Sequence, residues 1–505
     1  YARFFPVGAW ERDKPKVLRT PHGSLLFQDY RTGANGRLNL HPVTMIVEVE
    51  SSTAESEAET DSRWVVMQAP EGAELQFQRA LSLMSAKAGK LLGGRLRGEV
   101  TLWSPPSQPG GKNDLFVRTQ NLRITLDRIW TTAAVEFRFG PNTGTGRELL
   151  LDFDNTEDVE GHLALGKLRT LELIHLDQLQ IELPDSGKTP LISKNVPHDQ
   201  PSASQATHLQ LRCKGPLLFD FLRQTASLEE DVQVTHFADS GATDRLFCQQ
   251  LKAYFESSPV ERLEKQERVP RRGMVKQIVA QGTPVTLEAH TAAARVRCEK
   301  LAYDLTRRTL QLEDSRRVEL EHDNHAVSAP QIEYELGEQP GLLGRLRAGG
   351  GGHFREHDKG QVTLQADWTE ELRLEPQGNA HVLSLSGGAR LQSSAEGSLA
   401  ANQIHVWLRQ TSPQQTDNNP PEKPRIELEK MLATGSVQLA GRQMQASVER
   451  LEVWLDDLTP TTGFSKTKAA ATSSRAPAVP QSAKTAAPPA SQRTFRLASR
   501  TAQLH

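Results

Sequence analysis

The chain has 505 residues, 37% of them apolar, and its 60 Lys and Arg nearly balance 62 Asp and Glu for a formal charge of −2. That length predicts two to four structural units rather than one core, and the modest apolar fraction suits an elongated protein with many solvated strand faces. Because neither sign of charge is gathered into a stripe, nucleic acid is disfavoured as a ligand.

Cys213, Cys248 and Cys298 form neither a CxxC pair nor an even framework, so a zinc ribbon or a disulfide-stapled mini-domain is not indicated. No apolar run approaches the roughly 18 residues that would span a bilayer as a helix. The first residue is Tyr1 rather than Met, which is compatible with a leader or anchor ahead of it.

Period-two alternation of apolar and polar residues recurs along nearly the whole chain, and helical periodicity longer than about three turns is rare, so the predicted class is all-β. Residues 1–62 read as a β segment that ends in an acidic, Ser-rich loop at 51–62. Within a second segment, 63–185, Leu122, Ile124 and Leu126 alternate with polar neighbours and share one sheet face. Val135, Phe137 and Phe139 follow by the same rule, then Leu149, Leu151 and Phe153. A Pro- and Asn-bearing stretch at 185–207 precedes the block 205–337, where Leu301, Tyr303 and Leu305 alternate and the pattern continues through Leu310 and Leu312 to Ile332 and Tyr334. The glycine run inside 338–359 marks another boundary, and 360–457 repeats the alternation from Val362 and Leu364 to Leu451, Val453 and Leu455. Strands at a spacing of about 8 to 12 residues indicate a sandwich, barrel or β-solenoid. Residues 461–492 are almost wholly Ala, Pro, Ser, Thr and Lys, the composition of a flexible linker, and 493–505 read as the start of a further segment.

Residues 64–153 carry a pattern that resembles the OstA/LptA/LptC family of lipopolysaccharide-transport proteins. It comprises a Trp-led strand, Trp64-Val65-Val66-Met67, then Ala69-Pro70-Glu71-Gly72-Ala73-Glu74-Leu75, then the Gly-bearing alternation of 94–102, and finally 115–122 and 131–137. Looser versions recur at 297–305, 317–320, 328–334, 435–439 and 445–455, so the resemblance covers about two thirds of the chain. It implies elongated, predominantly antiparallel stacks of open β-jellyroll units in the periplasm or cell envelope, possessing no cofactor. It also implies non-catalytic binding or relay of lipopolysaccharide or a similar amphipathic glycolipid in an apolar groove, with other OstA-like envelope proteins as partners through edge strands. On this reading the groove candidates are Leu122, Ile124, Leu126, Val135, Phe137, Phe139, Leu301, Tyr303 and Leu305. An envelope scaffold with the same fold and no ligand is the alternative. Physics agrees with the groove, because an open apolar sheet face costs about 25 cal/mol per Å² unless it is covered or occupied, and unpaired edges invite main-chain pairing.

Other motifs in the chain point to other chemistry. Leu149-Leu150-Leu151-Asp152-Phe153-Asp154-Asn155-Thr156 looks like the first motif of haloacid-dehalogenase-type phosphatases, with Asp152 as nucleophile and Asp154 as general acid; it requires a parallel sheet flanked by helices. Read as a calcium loop, the same run has Glu157 where Gly is needed and Leu163 where Glu is needed. His322, Asp323 and His325 have metal-ligand chemistry but fall in a turn, and the glycines 349–352 lack the Lys and Ser/Thr of a phosphate loop. Trp64, Trp103, Trp130, Trp368, Trp407 and Trp454 sit in or beside strands, where they either pack the core or line a groove.

Overall fold

The computed structural model describes residues 4–20, 23–33, 37–49, 63–77, 91–105, 115–125, 127–154, 167–183, 207–238, 241–256, 275–337, 344–378, 380–395, 397–411, 425–442, 444–456 and 494–498. Strands dominate, and the helical elements among the described residues are 3-10 turns such as Trp10–Arg12 and His290–Ala292. The chain divides into two compact units, Tyr1–Glu335 and Leu336–His505.

In the first unit, β1 (Lys16–Thr20), β2 (Gly23–Thr32) and β3 (Arg37–Val49) form an antiparallel meander. The sheet then advances in rungs that are either one long strand or two short strands in line. The two halves of β3 pair separately with β4 (Arg63–Ala69) and β5 (Ala73–Phe77). These pair onward with β7 (Glu99–Trp103) and β6 (Leu91–Leu96), then with β8 (Leu115–Gln120) and β9 (Arg123–Thr125), which rejoin on opposite halves of β10 (Arg128–Phe139). After β11 (Asn142–Asp154) and β12 (Lys167–Leu183), the next rung is split into β13 (Thr207–Arg212) and β14 (Leu217–Asp220). A plain meander of β15 (Thr225–Phe237), β16 (Thr243–Phe255), β17 (Val275–Ala289), β18 (Ala294–Asp304), β19 (Thr309–His322) and β20 (His325–Glu335) follows.

Each of these long rungs loses register near its middle: between Thr131 and Ala134, Glu229 and Val232, Phe247 and Gln250, Gln281 and Val285, Arg297 and Lys300, and Glu313 and Val318. A bulge bends its strand and raises its twist, so a line of bulges creases the sheet. The turns between half strands fall on the same line, where Arg97 N–H donates to the Gly72 carbonyl and Asn121 N–H to the Gly98 carbonyl, both at 2.9 Å. Gly72 is needed there: its φ is +91°, and a Cβ would lie 2.2 Å from the Leu40 carbonyl oxygen. We call the half-rungs that contain Leu149, Leu228 and Leu301 arm one, and those that contain Val135, Val234 and Val296 arm two.

The two faces differ in chemistry. Outward positions carry cross-strand ion pairs such as Arg128–Asp152 and Lys300–Glu313, which contribute little each. Inward positions beside the crease are apolar and buried, Ala280 completely and Leu301 to 4% exposure. One face of a single flat sheet would stay wet, so such burial requires the arms to close over one another.

At the N-terminal end the closure is complete, with Leu18, Phe27, Leu40, Met45, Leu75, Leu122 and Ile124 in one sealed core. A second layer covers the outer face there. Phe5 packs with Leu26, Ile46 and Val66, flanked by Trp10, Trp64 and Trp103. Glu11, 1% exposed, accepts hydrogen bonds from Thr44 Oγ1 at 3.0 Å and Gln68 Nε2 at 2.6 Å, which satisfies an otherwise costly buried carboxylate.

The second unit repeats the rule. Here β21 (Arg345–Gly349) pairs with β24 (Glu371–Gln377), and β22 (Gly352–Asp358) with β23 (Gln361–Trp368); β23 and β24 meet opposite halves of β25 (Ala380–Ser393). The meander continues through β26 (Gly397–Thr411), β27 (Arg425–Gly441), β28 (Gln445–Asp456) and β29 (Thr494–Ala498). Register breaks at Ser386/Ala389, Ala400/Gln403 and Thr434/Val437 form its crease. A cleft of about 490 Å³ lies along it, lined by Glu370, Gly387, Gly388, Asn402, Gln403, Thr434 and Gly435.

Candidate functional site

Inward side chains of the first unit align from rung to rung. In arm one, Leu149, Leu173, Leu217, Leu228, Leu251, Ala280, Leu301, Leu312 and Ile332 occupy successive paired positions beside the crease, and all are buried. One step farther out run Leu151, Leu171, Phe219, Ala226, Ala253 and Ile278, all half-buried, and then Tyr303 and Leu310, both buried. Arm two presents Phe137, Gly144, Leu179, Leu211, Val234, Leu246 and Leu287 in the same manner. Of these Phe137, Leu179, Val234, Leu246 and Leu287 are half-buried, and the following Val296 is buried.

The result is an apolar trough, sealed at its N-terminal end, where Ile129 of β10 is still 2% exposed in the closed core, and tighter again from β18; partly exposed side chains line it from Phe137 of β10 to Ile278 and Leu287 of β17. Seven rungs at about 4.8 Å give an opening about 29 Å long. Its floor beside the crease is aliphatic and sulfhydryl: Val232 faces Cys248, and Val285 faces Cys298. Cys248 and Cys298 stand two rungs apart, about 9.6 Å, too far for a disulfide. Burial pushes both thiols up to about 12, and Cys213 to about 11, so all three are protonated and unreactive near neutrality.

The outermost row of arm two becomes polar. His236 Nδ1 lies 3.2 Å from Asp244 Oδ2, and Asp244 accepts from Thr291 N–H at 3.0 Å and Thr291 Oγ1 at 2.7 Å. His236 Nε2 is buried and has no hydrogen-bond partner among the described residues.

The sequence candidates are distributed unevenly. Leu122 and Ile124 belong to the sealed N-terminal core, with Val135 buried beside the crease; Leu126 lies outside the described residues. Phe137 lines the open stretch, with its ring so close over Gly144 that a Cβ there would sit 2.2 Å from Phe137 Cζ. Phe139 is 58% exposed at the rim. Leu301 and Tyr303 are buried where the trough tightens, and half-buried Leu305 begins the turn after β18. Leu209, Phe219, Val234, Leu246, Ile278 and Leu287 were missed, although Leu209-Leu211 and Val232-Val234 show the same alternation.

Most of the tryptophans serve elsewhere. Trp64 and Trp103 pack under the N-terminal segment, and Trp407 and Trp454 sandwich the Lys430 ammonium at 4.1 and 4.9 Å. Trp368 is buried and donates through Nε1 to the Gly350 carbonyl at 2.9 Å. Asp152 stands in β11 between two antiparallel neighbours, bonded to Arg128 Nε at 2.8 Å and Thr170 Oγ1 at 3.2 Å, a setting unlike the parallel, helix-flanked sheet that a phosphatase motif requires. His322 and His325 face each other across an exposed hairpin, and no group of three or more potential metal ligands occurs among the described residues.

Fold and trough together define an all-β, antiparallel protein built from repeated creased rungs. No protein-family model matches the chain, and no curated protein matches its sequence.

Proposed function

We propose that this chain is a non-catalytic carrier of an amphipathic glycolipid of the lipopolysaccharide type, held by its acyl chains in the trough and relayed across the cell envelope as an OstA-like protein would do. The observation that carries the reading is the accessible apolar lining from β10 to β17, bounded by closed stretches on either side. Partly exposed leucine, isoleucine, valine and phenylalanine side chains over that length are stabilised by an apolar occupant. Among the described residues the register of β1 is with β2, so its second edge offers main-chain groups to a strand of a related envelope protein.

Native mass spectrometry of the purified chain with and without lipopolysaccharide tests this, beside a Phe137→Asp variant with its fold checked by circular dichroism. Adducts on the wild type that disappear in the folded variant support the carrier. Two folded proteins with no adducts refute it and leave a scaffold.

A further inference from the structure

The end of arm one carries two turns built to one pattern. Asp220-Phe221-Leu222-Arg223-Gln224-Thr225 links β14 to β15, and Asp304-Leu305-Thr306-Arg307-Arg308-Thr309 links β18 to β19. In the first, Asp220 Oδ1 accepts from Leu222 and Arg223 N–H at 3.0 and 2.9 Å; in the second, Asp304 Oδ1 accepts from Thr306 and Arg307 N–H, both at 2.9 Å. Each turn has a left-handed residue before its Thr, Gln224 at φ 50° and Arg308 at φ 55°. Each is also tied to an adjoining strand end, Phe221 N–H to the Arg169 carbonyl at 3.0 Å and Leu305 N–H to the Lys276 carbonyl at 2.9 Å.

Thr225 and Asp304 lie in one row of paired residues through Tyr254 and Gln277, so the turns stand three strand spacings, about 14 Å, apart on one lip. The caps turn both Asp carboxylates back onto their own backbones, while the tips point outward. Leu222 is 83% exposed and Phe221 40%. Arg169, Arg223, Lys276 and Arg307 are exposed around them; among the described residues the ion pair of Arg223 is a long one, 3.8 Å to Asp220, and the exposed carboxylates on adjoining strand ends are Glu256 of β16 and Glu335 of β20. The apolar tip is continuous with the trough: the Phe221 ring lies 4.4 Å from that of Phe219, which lies 5.5 Å from that of Phe255.

We infer that this lip docks on an anionic bilayer surface, with Leu222 and Phe221 entering the headgroup region, the cations on its phosphates, and the trough mouth facing the lipid. The inference rests on the reading of the trough as a lipid site. Rigid, capped turns lose little entropy on docking, a Leu-Phe tip beside cations suits the interface, and each cation near such a surface strengthens binding roughly fivefold.

Flotation of the full chain with vesicles of phosphatidylcholine alone, or with one third phosphatidylglycerol, tests it. Wild type is expected on the anionic vesicles, released by high salt, with at least a fivefold lower bound fraction for Leu222→Glu and for Arg223→Glu/Arg307→Glu. Both variants alter exposed tips and keep the fold by circular dichroism. A trough variant, Ile278→Asp, confirmed as folded by circular dichroism, is expected to float like wild type. Absence of wild-type binding, or lip variants that float like wild type, overturns the docking surface. Flotation lost only in Ile278→Asp also overturns it while supporting the trough, and lip-dependent flotation without glycolipid adducts in native mass spectrometry supports the lip while the trough reading fails.

Discussion

Replacing Leu301 and Ile278 by Ala, one at a time, tests the closed-to-open gradient of the trough. The two positions lie on neighbouring strands of arm one, and each change removes three carbons. Leu301 is 4% exposed between Ala280 and Leu312, so it loses about 2.4 kcal/mol of transfer free energy at about 0.8 kcal/mol per carbon. A cavity term brings the total to about 3–4 kcal/mol. Ile278 is half-buried where the wall is accessible, so about half the transfer term applies and no enclosed cavity forms, for about 1 kcal/mol. With a urea dependence of about 3 kcal/mol per M, the midpoints fall by about 1 M and about 0.3 M. Two compact units make a single global transition unsafe, but Cys213, Cys248 and Cys298 all belong to the first unit. Labelling of the protected Cys248 and Cys298 against urea therefore reports on that unit alone. Equal midpoint shifts for the two variants, or a larger one for Ile278→Ala, would falsify the gradient.

Two further outcomes follow from buried polar and titratable groups. Glu11→Ala leaves the buried Thr44 hydroxyl and the Gln68 amide without their shared acceptor and is expected to cost about 2–3 kcal/mol by urea denaturation. Glu11→Gln retains an oxygen acceptor and should cost clearly less; equal losses would mean that the hydrogen bonds do not matter. The thiols of Cys248 and Cys298 ionise near pH 9 when unfolded but only at about 12 when folded. Between those values the unfolded state binds fewer protons, so stability is intact below pH 9 and falls as pH rises, by about 1.4 kcal/mol per thiol at pH 10. Stability measured from pH 8 to 10.5 should decline less steeply in Cys248→Ala than in wild type, and identical slopes would argue against a buried neutral thiol.

The all-β class was legible from alternation alone, because a side-chain period of two can be satisfied only by extended strands with one face in and one out. The apolar character of the inward face follows from the same pattern. Even the crease leaves a trace in the sequence: inward residues run Ala294, Val296, Cys298 and then Leu301, Tyr303, a slip of one residue that marks a bulge. Read as simple alternation, that slip is invisible, and Leu301, Tyr303 and Leu305 look like an isolated strand face.

Alternation also cannot tell a sealed wall from an open one. Leu122 and Ile124 read the same as Ile278 and Leu287, yet the first pair lies in the closed N-terminal core and the second beside the opening. That distinction depends on how far the two arms approach, which is set by bulges and split rungs at paired positions many residues apart. Local residue pattern thus determined that the chain makes strands and sheets with one apolar face. Only the tertiary structure decided where those sheets close and where they leave apolar surface within reach of a ligand, because burial is a property of the opposing arm and not of the strand itself.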